Sequence, residues 1–262
     1  MKISKIFLYD EPSVPEIKIG ELAQFIQQQF RVKVEIRENI FSFFGKSHKK
    51  LTFELASSRI FNTMMPFEKH NPTFEEIEFE NSFTDPTKTT NIIMYDGFEI
   101  KKIISEIIPE TELQSDKFHL VFTTKLTCTY DFEDYRYHGR AVICSNPSVI
   151  STTGIIEAPA KPRDYYFDLF SNISQGLNLD AMKNHFKGRY LEYHDSKLGE
   201  VVKGYAMQAI FYYLTGKPFC DLRDCRLYNA HWQEDLLHSQ IKIGTLCAKH
   251  QQVLDQIATN YE

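Results

Sequence analysis

The residues best suited to chemistry lie near the C-terminus, in two short pairs of metal-ligand type. The segment GKPFCDLRDCRL carries Cys220 and Cys225, and the segment GTLCAKH carries Cys247 and His250. Within each pair the two donors can converge on one ion across a single turn, and thiolates with an imidazole form a closed four-ligand set for zinc. We therefore predict one structural zinc ion held by these four residues. The alternative is that buried free cysteines and a surface CxxH pair share this stretch by chance.

A second group of candidate metal ligands lies between the two pairs. The segment NAHWQEDLLHSQIK predicts a helix with His231, Glu234, Asp235 and His238 on one side. The two histidines would be about 10 Å apart along the axis, which is a long span for a single ion. A solvated helix face is the simpler interpretation. The alternative is a second metal recruited by His231, Glu234, His238 or His194.

His194, Asp195 and Glu200 form another polar group, just before a long apolar run. Asp195 or the neighbouring Ser196 would cap a helix that begins near Lys197, and we prefer this structural interpretation to a ligand site. The sequence contains no glycine-rich phosphate loop, no G-x-S-x-G elbow and no dinucleotide-binding fingerprint. The sequence therefore offers no common catalytic or nucleotide-binding motif as an alternative to a metal site.

Composition and charge narrow the class of protein. Hydrophobic residues make up 42% of the 262 residues, which indicates a folded globular chain rather than a disordered one. The formal net charge of -5 provides no basic surface for nucleic acid or for an anionic membrane. We therefore expect an unidentified protein or peptide as partner, and neither nucleic acid nor a membrane.

The cysteine count and the N-terminal segment bear on location. The segment KISKIFLYDE reaches an acidic residue before the apolar core of a signal peptide could form. No run approaches the roughly 18 to 20 apolar residues that span a bilayer. Five cysteines are an odd number, which without a secretory signal favours metal thiolates in a reducing compartment over disulfides. We expect a cytoplasmic protein.

Periodicity in the first half of the chain predicts alternating strands and helices. Strands are predicted at SKIFLYD, VKVEIRE and NIIMYD, and helices at ELAQFIQQQF and FEIKKIISEIIP. We expect VKVEIRE to bury its apolar face, and the first two strands to run parallel through their connecting helix. A further helix is predicted over residues 51–64, with Ile60 and Met64 among its apolar positions, before an irregular segment at residues 66–90.

In the second half, FHLVFTTKLTCTY predicts one long strand, paired with a strand at RAVICSN. Residues 147–163 predict a long loop, and residues 164–195 one or two helices. The run LGEVVKGYAMQAIFYYLTG predicts a buried helix that ends at Gly216, because Pro218 prevents its continuation. Together these patterns predict a single α+β domain over residues 1–262, a mixed sheet flanked by helices, with a zinc-stapled C-terminal region.

The order of these elements and the segment from Gly216 to His250 resemble the archaemetzincins, a family of zincin metallopeptidases. Their motif runs H-E-x-x-H-x-x-G-x-x-H-C-x4-C-x-M and is followed by C-x-x-C, with a catalytic zinc on its histidines and a structural zinc on its cysteines. With the motif's glycine on Gly216, its cysteines fall on Cys220 and Cys225 without a gap, and the later pair falls on Cys247 and His250. The resemblance implies a zincin-like fold and a structural zinc.

The catalytic half of that motif is missing from this sequence. In the same register Ala209, Tyr213 and Phe219 replace the three zinc histidines, Ile210 replaces the general-base glutamate, and Leu227 replaces the methionine below the metal. A hydrolytic zinc needs about three protein ligands and an open position for water. The side chains at these positions supply neither the ligands nor the base, so we assign no catalytic residue.

Two hypotheses for function follow from the resemblance. The first is an archaemetzincin-like pseudoenzyme that keeps the structural zinc, has lost the hydrolytic one, and acts as a binding or regulatory module. The second is a divergent zinc metallopeptidase or hydrolase with a relocated metal site at His231, Glu234, His238 or His194. The number of metal ions per chain separates the two hypotheses, because the first requires one ion and the second requires two.

Overall fold

A computed structural model describes residues 2–44, 48–81 and 92–259 of the chain. Within these residues the fold is α+β, with a five-stranded mixed sheet, a three-stranded sheet and flanking helices. The strands are, in chain order, β1 (Lys5–Tyr9), β2 (Lys33–Arg37), β3 (Met94–Asp96), β4 (Lys117–Thr123), β5 (Leu126–Asp131), β6 (Arg136–Gly139), β7 (Val142–Ile143) and β8 (Ser148–Ser151).

The helices differ widely in length, from a five-residue turn of helix to an eighteen-residue one. They are, in chain order, α1 (Ile19–Phe30), α2 (Ile40–Phe44), α3 (His48–Ser57), α4 (Phe74–Asn81), α5 (Gly97–Ile107), α6 (Thr152–Glu157), α7 (Arg163–Ser174), α8 (Leu179–His185), α9 (Leu198–Thr215), α10 (Gln233–Leu237) and α11 (Ala248–Thr259). A 3-10 turn at Pro15–Ile17 precedes α1, and a π-helical turn at His238–Ile243 continues α10.

The larger sheet has the strand order β2-β1-β4-β8-β7. β1 runs parallel to β2 and β4, β4 runs parallel to β8, and the short β7 runs antiparallel to β8. Helix α1 connects β1 to β2, which confirms the predicted parallel pair joined by a helix. In the smaller sheet, β5 lies between β3, which is parallel to it, and β6, which is antiparallel.

Alternating side chains of the central strands divide the core into two layers. In β1, Ile6 and Leu8 belong to a first layer with α1 and α9, whereas Phe7 and Tyr9 belong to a second layer with α3 and α5. Because both faces of β1 are covered, its sequence is almost continuously apolar, as is typical of buried parallel strands.

Helix α9 is buried along most of its length. Every residue from Tyr205 to Phe211 is buried, including the polar Gln208. Burial on all sides requires cover from the sheet on one side and from the C-terminal segment on the other. The helix ends as predicted at Gly216, whose φ of +75° allows its N–H to donate to the Tyr212 carbonyl oxygen at 2.7 Å.

The sequence FHLVFTTKLTCTY forms two strands in different sheets, so the prediction of one long strand was wrong. β4 ends at Thr123 and β5 begins at Leu126. The Thr123 hydroxyl accepts a hydrogen bond from the Lys125 backbone N–H at 3.2 Å. Such a local bond takes the place of a ladder bond between strands and turns the chain out of the sheet.

The partner of RAVICSN was also wrongly predicted. Its strand β7 pairs with β8 and not with β4, and β5 pairs with β6. The predicted loop at residues 147–163 contains β8 and α6. The small hydroxyl residues there bond to other parts of the chain, as where the Ser151 hydroxyl donates to the Lys125 carbonyl oxygen at 2.7 Å.

The helix predicted over residues 51–64 stops early, at the end of α3. The Ser58 hydroxyl donates to the Leu55 carbonyl oxygen at 2.7 Å, a bond that competes with continued helix. Ile60 and Met64 therefore lie outside the helix, in contrast to the prediction.

The segment at residues 66–90 was expected to be irregular, but it contains α4. Glu80 in α4 accepts from Arg59 at 2.6 Å and from the Tyr95 hydroxyl at 2.8 Å, which anchors the short helix to the smaller sheet. The part of this prediction at residues 82–90 lies outside the described residues.

Strand β2 buries its arginine more deeply than its apolar residue. Ile36 is 47% exposed, whereas Arg37 is 8% exposed, so the prediction that VKVEIRE buries its apolar face was wrong for Ile36. The strand lies at the edge of the sheet, where the Arg37 guanidinium sits 3.9 Å from the Phe7 ring centre and donates to Glu112 at 2.6 Å. Ion pairing of this kind offsets the cost of burying a charge.

A histidine is enclosed in the second layer beside this arginine. His119 is fully buried, and its ring stacks 4.9 Å from Phe7 and 5.8 Å from Tyr9. The Glu112 carbonyl oxygen only accepts, so Nε2 donates to it at 2.9 Å and Nδ1 accepts from the Tyr9 hydroxyl at 3.0 Å. Burial lowers the pKa of His119 below its ordinary value of 6.5, so the folded protein holds the ring neutral.

We predict that His119 makes stability depend on pH. Because the unfolded chain binds this proton more readily, the free energy of unfolding is highest above about pH 6.5 and falls as the pH drops toward the lowered folded-state pKa. Urea unfolding of the wild type and of His119→Gln, at about pH 7.5 and about pH 5.5, measures the effect against a side chain that does not titrate. The advantage of the wild type should shrink at the lower pH, and an unchanged difference would contradict the prediction.

Candidate metal centre

The first cysteine pair lies in the loop that follows α9. The Cys220 backbone N–H donates to the Leu227 carbonyl oxygen at 2.9 Å, which closes the loop. Inside it, the Cys225 N–H donates to the Leu222 carbonyl oxygen at 3.1 Å. Cys220 is 7% exposed and Cys225 is fully buried, so the closed loop presents both sulfur atoms toward the interior.

The second pair lies at the start of the last helix. Cys247 immediately precedes α11, and His250 is in its first turn. The chain reaches this point through the π-helical turn, which ends at Gly244 with a φ of +64°. The Arg226 N–H donates to the Thr245 carbonyl oxygen at 2.8 Å, so this segment is bonded directly to the first loop.

The four predicted ligand atoms come together. The Sγ atoms of Cys220 and Cys247 are 3.9 Å apart, and Nδ1 of His250 lies 3.8 Å from Sγ of Cys225 and 3.2 Å from Sγ of Cys247. All four atoms lie within 4.8 Å of one another. Tetrahedral zinc with bonds of about 2.0 to 2.3 Å places its ligand atoms roughly 3.3 to 3.8 Å apart. The arrangement therefore fits a tetrahedral metal ion with three sulfur ligands and one nitrogen ligand.

Hydrogen bonds to the sulfur atoms also suit metal thiolates. The Leu222 N–H donates to Sγ of Cys220, and the Cys247 N–H donates to Sγ of Cys225, each at 3.4 Å. Amide donors around a ligand sulfur orient it and stabilise its negative charge. The sulfur atoms are thus prepared for the thiolate state that a metal requires.

The ligand residues differ in acidity. Burial raises the pKa of the Cys225 thiol to about 12 and also raises that of Cys220. For Cys247, burial is outweighed by hydrogen bonds from the backbone of His250 and Lys249 and from the other thiols, so its pKa is lowered. Burial lowers the pKa of His250, which keeps the imidazole neutral. A cation is what would hold the buried Cys225 as a thiolate at neutral pH.

A buried arginine ties the first loop to α9. Arg226 forms an ion pair with Glu200 of α9, and its carbonyl oxygen accepts from the Gln240 side-chain amide at 2.7 Å. Gln240 lies so close to α9 that a Cβ atom on Gly204 would be 1.9 Å from its Oε1 atom. The glycine in α9 therefore allows the close approach that positions Arg226, next to the metal-ligand candidate Cys225.

The positions that correspond to a catalytic zinc carry no set of donors. Ala209 and Ile210 are fully buried in α9. The Tyr213 hydroxyl donates to the Ser115 carbonyl oxygen at 2.6 Å, while its ring packs against the first core layer. Phe219 is 40% exposed and offers only an aromatic ring. These side chains serve packing, and none of them is an imidazole or a carboxylate.

The candidate ligands for a second metal are dispersed. The helix predicted across them begins only at Gln233, so His231 lies outside it. Among the described residues, His231 belongs to no cluster of three or more potential metal ligands. Each of these residues has its own neighbour. The pairs are His231 with Asn229 at 3.4 Å, Glu234 with Arg189 at 2.8 Å, Asp235 with Arg223 at 2.7 Å, His238 with Asp224 at 2.5 Å and His194 with Glu16 at 3.1 Å.

The polar group before α9 stabilises the turn that leads into the helix but does not cap it. The Asp195 side chain accepts from the Lys197 backbone N–H at 2.9 Å, directly ahead of the first turn. Glu200 forms ion pairs with Arg226 and Lys203. The predicted cap was therefore wrong, because the N-cap residue of α9 is Lys197 and no side chain caps the helix, while the Asp195 bond stabilises the turn before it.

Sequence analysis missed a second cluster, on the hairpin between β5 and β6. The ligand atoms of Asp131, Asp134 and His138 lie within 4.8 Å of one another. His138 and Arg136 both bond to Asp134 at 2.8 Å and lower the pKa of its carboxyl. The spacing D-x2-D-x3-H across a turn would have revealed the group. Because Asp134 is already paired at the surface, the cluster has the character of a surface ion-pair network.

A cleft of about 430 Å³ opens between β7, the middle of α9 and the loop that follows α9. Its walls include Val142 and Ile143 of β7, Tyr205 of α9, and Phe219 and His231 from the C-terminal segment. Within the described part of the sheet, β7 pairs only with β8, so its other edge is available on this side. Phe219, which stands where the metallopeptidase motif has a histidine, is therefore part of a groove beside an edge strand.

Comparison with known families decides the wider class. A model of a probable metallopeptidase family, DUF6775, matches residues 2–257. The chain belongs to this family. The match covers both core layers and the cysteine cluster, and it agrees with the resemblance to metallopeptidases as a class.

This metallopeptidase family implies a metal ion, and the cluster of Cys220, Cys225, Cys247 and His250 could hold one. No curated protein and no solved structure matches the chain. None of the helices in the described ranges is long and apolar enough to cross a membrane.

We predict that Cys225→Ala loses the metal and much of the stability. Structural zinc contributes on the order of 10 kcal/mol to folding, and a tetrahedral site with one ligand removed binds far more weakly. In Cys225→Ala the zinc content and the thermal unfolding temperature should both fall. In Cys128→Ala the zinc content should stay near that of the wild type. Cys128 is a matched control because it is a buried free thiol outside the cluster. A fully zinc-loaded Cys225→Ala protein would refute the site.

Proposed function

We propose that this chain is a zinc-binding, catalytically silent member of its metallopeptidase family, related to the archaemetzincins, and that it binds an extended peptide in the cleft beside β7. The observation that supports the proposal is a contrast between two sets of side chains in the segment from α9 to α11. The four donors Cys220, Cys225, Cys247 and His250 are assembled, whereas the positions of the catalytic ligands hold apolar side chains and a phenol.

Zinc is the metal that this donor set favours. Three thiolates with one imidazole suit zinc, which is almost always four-coordinate in structural sites. Four protein ligands leave no open position for a water molecule or a substrate. The ion would therefore act as a staple between the loop after α9 and the start of α11, and it would perform no hydrolysis.

The cleft supports a binding role through the geometry of β7. The Ser151 N–H donates to the Ala141 carbonyl oxygen at 2.9 Å. Because antiparallel pairs alternate, the N–H and C=O groups of Val142 then point away from β8. An extended peptide can add a strand to such an edge through main-chain hydrogen bonds, while the cleft accommodates its side chains.

The remaining features favour a protein or peptide partner in the cytoplasm. The net charge of -5 is unfavourable for nucleic acid and anionic membranes. All five cysteines are free thiols, which suits a reducing compartment. We propose that the peptide-binding cleft and the zinc staple belong to a single zincin-like domain.

The family's description as a probable metallopeptidase family favours a second candidate, an active hydrolase with a relocated metal. Such an enzyme would need a further ion at His231, Glu234, His238 or His194. The separate partners of these residues would have to be exchanged for the metal. This is why we place the hydrolase second.

Metal content and peptidase activity discriminate between the two candidates. The purified chain should contain one zinc per molecule and should not cleave a fluorogenic peptide library, with or without added zinc. Two metal ions per chain, together with cleavage that a chelator abolishes, would instead establish the hydrolase.

The cleft is tested with peptides selected by phage display on the zinc-loaded protein. Val142→Pro removes the outward N–H and should weaken a selected peptide at least tenfold, because a main-chain hydrogen bond is lost and the proline ring blocks the edge. Val142→Thr keeps the N–H and the branched shape, so it should bind as the wild type does. Both variants should retain one zinc. Equal binding by Val142→Pro would refute the cleft as the peptide site and leave the zinc assignment standing.

A further inference from the structure

A smaller cavity of about 130 Å³ lies in the second core layer, at the carboxyl ends of β1 and β4. Its polar side chains come from the loops after β1, β2 and β4 and from helices α2, α3 and α4, whereas its apolar wall comes from α2 and α3. The apolar wall consists of Phe41, Leu51 and Leu55, and the charged residues of the lining are Glu11, Glu80 and Lys125.

The order of the strands explains why a cavity forms here. After β1 the chain continues through α1 to β2 on one side, whereas after β4 it turns out of this sheet into β5 and rejoins it only at β7 and β8, on the other side of β4. The loops after these two neighbouring parallel strands therefore diverge and leave a crevice between them. Open parallel sheets bind ligands at such points, outside the carboxyl ends of the strands where the strand order reverses.

Glu11 gives this crevice its charge. It is 5% exposed, and its carboxylate accepts from the Ser13 hydroxyl at 2.7 Å and from the Asn39 amide at 3.2 Å. Both donors are neutral, so they orient the carboxylate without balancing its charge. The positive charge of Lys125 acts on Glu11, but the Lys125 ammonium is itself bonded to Glu80.

The other carboxylate in the wall is already neutralised. Glu80 is bonded to Arg59 at 2.6 Å and to Lys125, and it accepts from the Tyr95 hydroxyl. Of the charged side chains that line the cavity, Glu11, Glu80 and Lys125, Glu11 is the one whose direct hydrogen-bond partners are neutral. Burial raises the pKa of Glu11 above its ordinary value and outweighs the opposite effect of the Lys125 charge.

We propose that this cavity binds a small primary alkylammonium ion, with its charged head on the Glu11 carboxylate and its alkyl part against Phe41, Leu51 and Leu55. The head would keep Glu11 ionised, and the Ser13 and Thr124 oxygens line the same cavity as further acceptors. The apolar wall gives the alkyl part a surface to bury.

Size and charge favour this ligand over a divalent metal ion. The volume is close to the roughly 150 Å³ of a cavity that holds benzene, so about six non-hydrogen atoms fit. Calcium and magnesium bind six or more oxygen atoms, including bound waters. Here one wall is apolar, and Lys125 adds a positive charge that would repel a doubly charged ion.

The first experiment uses the intact, zinc-loaded protein and two probes of equal size. Propylammonium chloride and 1-propanol are titrated while the backbone amide resonances of Ser13, Asn39 and Thr124 are followed. Propylammonium should shift these resonances and bind at least tenfold more tightly than propanol. The proposal would be overturned if propylammonium and propanol bound with equal affinity, or if propylammonium shifted none of these amides. It would also be overturned if magnesium produced the shifts and propylammonium did not.

The second experiment removes the charge and keeps the shape. Glu11→Gln should lower the affinity for propylammonium at least tenfold and leave the weak binding of propanol unchanged. Glu106→Gln makes the same change at an exposed position of α5 and should bind as the wild type does. Wild-type affinity in Glu11→Gln would overturn the proposal. If this variant does not fold, the comparison of amine and alcohol on the wild type decides, and neither experiment depends on the peptide cleft.

Discussion

The burial of α9 is the constraint on which the rest of the structure depends. A helix that is apolar on all sides must be covered on all sides, and the sheet covers only one of them. The outer cover is the C-terminal segment, which contributes Leu227, Leu236 and Leu254 to the first core layer but has little long regular structure before α11. Short irregular segments bury little apolar surface for the entropy they lose. A metal ion bound by Cys220, Cys225, Cys247 and His250 would offset that loss and hold the cover in place.

The same constraint explains the side chains at the positions that correspond to the catalytic half of the archaemetzincin motif. A catalytic helix must expose imidazoles to an open metal site, whereas Ala209 and Ile210 face the packed interior. Apolar side chains at these positions add to the core and remove the cost of burying polar groups. Among these positions Phe219 is the most exposed, and it lies in the wall of the cleft beside β7. Packed apolar residues at these positions and a groove beside β7 are thus compatible in one structure.

In the second core layer, ion pairs offset the free-energy cost of burying charged side chains. Arg37 is paired with Glu112, Glu80 with Arg59 and Lys125, and His119 is held neutral by its burial. Glu11 differs from these groups because its direct partners are neutral. An ionisable group whose environment is incomplete in this way, inside a cavity, is a physical indication of a ligand site.

Local pattern determined much of the framework. The periodicity of β1, α1, α5 and α9 predicted each element, and the C-x4-C and C-x2-H spacings predicted the metal-ligand candidates that the fold brings together. These features depend on residues within one or two turns of each other, so a short window of sequence contains the cause.

Only the tertiary structure decided which residues meet across the chain. It separated β4 from β5, buried Arg37 at the sheet edge, dispersed the candidates for a second metal, and joined Glu11 to Asn39 and Thr124 around a cavity. Each outcome depends on a contact between segments that are distant in the sequence. The energy of such a contact comes from burial and pairing in the assembled core, so no single segment contains it.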